Sequence, residues 1–109
     1  MQQIRLAAGA RPGTRLFRNN TGVLPDRNGR PVSYGLCKGS PDLVGWVSVE
    51  ITPEMVGRRL AVFAGIEVKT ERGRVEVEQL NFIEQLQAAG GLAGVARSVE
   101  QAKEVLDAL

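Results

Sequence analysis

Seven apolar or small residues, Leu60-Ala61-Val62-Phe63-Ala64-Gly65-Ile66, run into Glu67-Val68-Lys69-Thr70. The length of this run, its β-branched and aromatic content and the turn residues on either side predict a buried strand over 60–70 rather than a helix. Side chains alternate between faces along a strand, so Glu67 and Lys69 share one face and Val68 takes the other. Two charges at the end of an apolar strand are costly to bury without compensation. An ion pair is one compensation, and a metal ion with its water is another. Taken alone, the tripeptide fits an edge-strand ion pair better than a site. Only a second acid, brought in by another strand, changes that balance.

The same pattern divides the rest of the chain into short elements. Residues 2–8 predict a short helix closed by Gly9, and Arg11-Pro12-Gly13 a turn. Thr14–Arg18 reads as a strand, ended by Asn19-Asn20-Thr21-Gly22, residue types that tolerate positive φ. Residues 24–39 read as a polar loop with a short extended piece at 34–37. A loop this long in a small domain is usually functional or mobile. A second strand runs to Val49, with Pro41 setting its start. Thr52-Pro53-Glu54-Met55 predicts one helical turn, which Gly57 stops.

After a turn at 71–74 the period becomes helical from 77 to 89. Leu80, Ile83 and Leu86 share one face with Phe82 beside them. Gly90-Gly91 stops this helix, and residues 93–97 predict a short buried strand. Ser98-Val99-Glu100-Gln101 is a capping-box pattern. It opens a last helix with Val99, Ala102, Leu106 and Leu109 on its inner face. The order α-β-β-β-α-β-α predicts one α/β domain over 1–109, with helices flanking a single sheet.

Composition narrows the chemistry. The chain has 109 residues, enough for one domain with a modest core. Cys37 is the only cysteine, so an internal disulfide and a Cys-rich zinc site are excluded. Both Cys37 and Trp46 are expected in packing. There is no histidine, which excludes Ser-His and Cys-His pairs and any imidazole ligand or base. Hydrolysis would have to use carboxylates, lysine or a metal ion. No apolar run reaches the roughly 18 residues that span a bilayer, and the N-terminus lacks a signal-peptide core. A cytoplasmic location and no membrane partner are expected.

The net charge of +2 is unevenly placed. Residues 1–39 hold six arginines and one lysine against a single aspartate, net +6. Residues 40–109 hold seven basic against eleven acidic residues, net −4. Such a basic third suggests a polyanion partner. Solubility alone explains the split equally well.

The second acid is Asp42, at the start of the strand preceding the one that carries Glu67. If these two strands pair, Asp42, Glu67 and Lys69 converge at one sheet edge. Two carboxylates, with the Val68 carbonyl as a further oxygen, suit a hard divalent cation. The ammonium would orient a water or offset developing charge. Such an ion activates water without histidine.

Pro41-Asp42 followed by Glu67-Val68-Lys69 resembles the PD-(D/E)XK nuclease signature. The surrounding words narrow the resemblance. They are Arg18-Asn19-Asn20-Thr21-Gly22, Lys38-Gly39-Ser40-Pro41-Asp42-Leu43-Val44-Gly45, Gln79 with Asn81-Phe82, and Gly90-Gly91 with Val95-Ala96-Arg97-Ser98. Together they are similar to the virus-type replication-repair nuclease (VRR-NUC) domain in its compact stand-alone form, over about residues 14 to 106.

The resemblance implies a restriction-endonuclease-like core, a single mixed β-sheet flanked by helices. It also implies a Mg²⁺- or Mn²⁺-dependent endonuclease acting as a homodimer on four-way DNA junctions. In that reading Asp42 and Glu67 ligate the metal, Lys69 positions the attacking water, and Gln79 bonds the water or a ligand carboxylate. Many relatives carry a further Glu in the first helix, but residues 1–25 hold no acid here, and Gln2 and Gln3 stand in its place. Waters or the partner protomer would fill the gap. Some of Arg15, Arg18, Arg27, Arg30 and Lys38 would contact phosphate. Asn19 and Asn20 are turn formers or DNA-edge residues, and Ser40 either meets the scissile phosphate or caps its turn. Two other readings stand beside the enzyme: a junction-binding protein with a degenerate site, and a structural protein without DNA affinity.

Overall fold

The computed structural model describes residues 2–109. Along the chain run α1 (Gln2–Gly9), β1 (Thr14–Arg18), β2 (Gly22–Pro25), β3 (Pro31–Tyr34), β4 (Leu43–Val47), a 3₁₀ turn (Pro53–Met55), β5 (Ala64–Val68), α2 (Val77–Ala88), β6 (Leu92–Ala96) and α3 (Val99–Leu106). They gather into two compact units, Met1–Val47 and Ser48–Leu109.

In the first unit β1 and β4 form an antiparallel ladder from Thr14↔Val47 to Arg18↔Leu43. Gly45 lies opposite Leu16, and a Cβ at Gly45 would collide with the Arg15 carbonyl, so the two backbones approach closely here. Phe17 and Trp46 sit diagonally on one face with ring centroids 5.6 Å apart and a 57° tilt, a favourable aromatic arrangement. Trp46 is a packing residue, as expected.

The loop expected at 24–39 holds most of an antiparallel hairpin instead, β2 paired with β3 from Gly22↔Tyr34 to Pro25↔Pro31. Asp26 closes it. Its Oδ1 accepts from the Asn28 and Arg30 N–H groups at 2.9 and 2.8 Å, and its own N–H donates to the Arg30 carbonyl at 2.8 Å. Gly29 takes φ +78°, the left-handed residue that a three-residue hairpin loop needs. Two prolines and a lack of alternation hid these strands. Nearly every residue of the ribbon is exposed, so nothing selected one apolar face.

In the second unit β5 and β6 pair in parallel, from Ala64↔Leu92 to Val68↔Ala96. Parallel neighbours need a long crossover, and α2 supplies it. The helix opens with a capping box between Glu76 and Gln79 that the sequence reading did not anticipate. It ends as Gly90-Gly91 predicted. Gly90 has φ +98°, its N–H donates to the Gln87 carbonyl, and the Gly91 N–H reaches the Leu86 carbonyl at 2.9 Å. These two bonds make a Schellman stop.

Leu86 is fully buried, and Ile83, Leu92, Ala93 and Ala96 complete the core. Leu80 and Phe82 stay 46 and 41% exposed, so only two of the four apolar positions predicted on α2 reach the interior.

Three further expectations are corrected. The strand predicted over 60–70 is only Ala64–Val68. Residues 58–63 are irregular, because an apolar run alone does not supply a ladder partner. On α3, Val99, Leu106 and Leu109 are exposed, and Val105 packs against Gly94 instead. The helix is only two turns long, and Val105 lies one turn beyond Ala102 on the face toward β6. Finally, the single mixed sheet is replaced by three two-stranded sheets among the described residues. The β4 ladder is taken by β1 and the β5 ladder by β6, so the expected α/β composition holds while the sheet order differs. No helix among the described residues is long and apolar enough to cross a membrane.

Candidate active site

Glu67 lies near the end of β5, opposite Val95. Lys69 follows just beyond, anchored by its N–H to the Ala96 carbonyl at 3.0 Å. Strand alternation puts both side chains on one face. Lys69 Nζ stands 3.5 Å from Glu67 Oε1, and the two side chains are only 17 and 32% exposed. At this burial the pair is more than the solvated surface contact that the motif alone suggested.

A third group joins them from the first turn of α2. Gln79 Nε2 donates to the same Glu67 Oε1 at 2.7 Å. Gln79 Oε1 accepts the Glu76 N–H at 2.9 Å, and the Glu76 side chain accepts the Gln79 backbone N–H. The capping box therefore fixes the orientation of the amide. Its oxygen must face the backbone donor, so its nitrogen faces Glu67. Both donors meet Oε1. Beside Glu67 opens a cavity of about 340 Å³, lined in part by Gly65, Ile66, Glu78 and Phe82.

In the first unit the loop carrying Asp42 is folded around Asn19, which is 7% exposed. Asn19 Nδ2 donates to Ser40 Oγ at 2.7 Å and to the Pro41 carbonyl at 2.9 Å. Its Oδ1 accepts the Leu36 N–H at 3.0 Å, and its backbone N–H donates to the Asp42 carbonyl at 2.8 Å. Ser40 Oγ donates to the Cys37 carbonyl at 2.6 Å, which caps the local turn. Sequence reasoning gave Asn19 a turn or DNA-edge role and missed this latch. An Asn at a strand end carries no mark of burial.

Asp42 itself is exposed at the foot of β4. Cys37 is exposed rather than packed, because its loop is held by backbone and hydroxyl bonds and not by apolar burial. Arg15, Arg18, Asn20, Arg27, Arg30 and Lys38 are all exposed. Val68 ends β5 opposite Ala96 with its side chain 76% exposed.

Among the described residues no three His, Cys, Asp or Glu side chains gather. At the end of β5 the second unit offers the Glu67 carboxylate and backbone carbonyl oxygens such as that of Val68, and Glu78 also lines the cavity beside Glu67. This donor chemistry fits Mg²⁺, which is held by one or two carboxylates and keeps several waters.

A family model for the VRR-NUC domain matches residues 31–100. The chain belongs to the VRR-NUC family. The matched span contains Asp42, Glu67, Lys69 and Gln79, so the cluster on β5 and α2 lies within a nuclease-family domain. No curated protein and no solved structure matches this VRR-NUC chain.

Proposed function

We propose that this VRR-NUC domain is a Mg²⁺- or Mn²⁺-dependent endodeoxyribonuclease that hydrolyses phosphodiester bonds in branched DNA, such as four-way (Holliday) junctions. The observation that carries the reading is one carboxylate held by two donors: Glu67 Oε1 receives Gln79 Nε2 at 2.7 Å and faces Lys69 Nζ at 3.5 Å. A structural ion pair needs no amide locked in place by a helix cap. A metal-ligating carboxylate does, because its outer-shell partners fix its orientation.

Glu67 and the Val68 carbonyl would hold the metal, with Asp42 the second ligand that the family resemblance implies; when bound, the ion would lower the pKa of its water and neutralise phosphate charge. Lys69 orients the attacking water and stabilises charge on the phosphate oxygens. Gln79 keeps Glu67 aimed. The +6 charge of residues 1–39 attracts the DNA backbone, with Arg15, Arg18, Asn20 and Lys38 as the DNA-facing set, while Ser40 is the cap of its turn. Dimerisation follows from the family resemblance, since a two-fold enzyme suits a two-fold junction.

The test is a panel of labelled four-way, flap and linear duplex DNAs with Mg²⁺ or Mn²⁺, comparing wild type with Lys69→Ala. Branched DNA should be cut by wild type alone. A gel shift without product from the wild type would favour a non-catalytic junction-binding protein. Cutting of linear duplex equal to that of junctions would remove the structure selectivity. A light-scattering mass of one chain at micromolar concentration would remove the dimer.

A further inference from the structure

The segment after Lys69 turns back on itself over 70–73, closed by the Gly73 N–H donating to the Thr70 carbonyl at 3.1 Å. That turn has no apolar anchor of its own. Thr70, Glu71 and Arg72 are all exposed, and only Gly73 is half-buried. Its carbonyls converge on one side chain from another strand. Arg97, the residue after β6, donates from Nη1 to the Thr70 carbonyl at 2.6 Å and to the Gly73 carbonyl at 2.7 Å, with a longer 3.4 Å contact to Glu71. The Arg97 backbone is fixed in turn, its N–H donating to Gln101 Oε1 at 2.7 Å.

The structure assigns Arg97 as a positioning residue that clamps the turn behind Lys69. This rests on the nuclease reading of Glu67 and Lys69. Lys69 is tied to β6 at its own N–H, and Arg97 ties the next four residues to the same strand end. The Lys69 backbone is thus held on both sides, by the Ala96 carbonyl and by a clamped turn.

The guanidinium meets backbone carbonyls and, among the described residues, no carboxylate within ion-pair distance. Both short bonds leave one nitrogen, Nη1, whose two N–H groups lie in the guanidinium plane in a fixed direction, whereas an ammonium on a flexible stem is not held to that geometry. Without the clamp the turn is free to shift, and misplacement on the order of 1 Å can cost a reaction roughly 100-fold.

The experiment compares wild type, Arg97→Gln and Arg97→Lys in the full chain. Hydrogen exchange of the amides at 70–74, read without DNA or metal, should accelerate in both variants while the α2 amides stay protected. Cleavage kcat should fall by roughly 10- to 100-fold with KM for DNA and the salt slope of binding unchanged. Unaltered exchange at 70–74 overturns the clamp. Faster exchange with wild-type kcat overturns its positioning role. A KM increase that Arg97→Lys restores, with the salt slope reduced by about 0.9 in Arg97→Gln, makes Arg97 a phosphate contact instead and also overturns the assignment. If the wild type cuts no DNA, the endonuclease reading fails, while the exchange result still decides the clamp.

Discussion

Gln79 Nε2 lies 2.7 Å from Glu67 Oε1, and the capping box of α2 decides which end of the amide faces the carboxylate. A helix start and a site are thus built from the same side chain. Replacing Gln79 by Glu puts a second carboxylate where the donor stood. Cleavage should fall by about 10- to 100-fold, the usual cost of losing an outer-shell partner. Single-turnover rates at saturating Mn²⁺ would measure it, and a rate equal to wild type would show that Glu67 needs no such support.

Lys69→Ala removes the ammonium but leaves the Gln79 bond to Glu67 intact. The cleavage rate should drop by about 100- to 1,000-fold, with junction affinity nearly unchanged. Asp42→Ala should likewise abolish cutting without unfolding the chain, because Asp42 is exposed. Gel-shift and cleavage assays on the same preparations separate binding from chemistry. A variant that cuts like wild type removes that residue from the site.

Asn19→Ala leaves the Leu36 N–H and the Pro41 carbonyl without their partner. Each hydrogen bond lost is worth about 0.5–1.5 kcal/mol, so thermal unfolding should begin several degrees lower. Ser40→Ala loses one exposed turn bond and a partner for Asn19, and should cost less. A larger loss in Ser40→Ala than in Asn19→Ala would reverse the order of importance argued for this loop.

Leu86 is fully buried, and it fills the space a side chain at Gly91 would need. Leu86→Ala should destabilise by about 2–5 kcal/mol through lost burial and a residual cavity. Gly91→Ala should destabilise as well, through a clash with Leu86 and the Phe63 carbonyl. Urea titration of the two variants gives both values. A neutral Gly91→Ala would mean that the backbone there yields more easily than its packing implies.

DNA affinity should fall steeply with salt, with a log–log slope near −0.9 for each phosphate neutralised. Charge-removing substitutions at Arg18, Arg30 and Lys38 should each flatten the slope if that side chain meets phosphate. Fluorescence anisotropy from low to moderate salt would read it. A flat response in the wild type would leave the basic third to solubility.

Much of the helical structure was legible because its signals are local. The Gly90-Gly91 stop, the Ser98 cap, which accepts the Gln101 N–H at 3.1 Å, and the turn at Pro53 lie within a few residues of what they control. The hairpin at 22–34 was legible in part. Its Asp26-Arg27-Asn28-Gly29 turn is written in the chain, but its exposed strands lack an alternating face. The capping box at Glu76 was missed because Glu is an uncommon N-cap.

The sequence by itself determined which groups could do chemistry: no histidine, one Glu-x-Lys on one strand face, and a Pro-Asp word in the span that marks the family. Tertiary structure alone decided which partner each strand took, giving β4 to β1 and β5 to β6 in place of a common sheet. It also made Asn19 a latch and Arg97 a clamp, through bonds to residues 22 and 27 positions away. Strand alternation and helical period are set by neighbouring residues, so they can be read in order along the chain. A hydrogen bond across such a gap forms only once the backbone has closed around it.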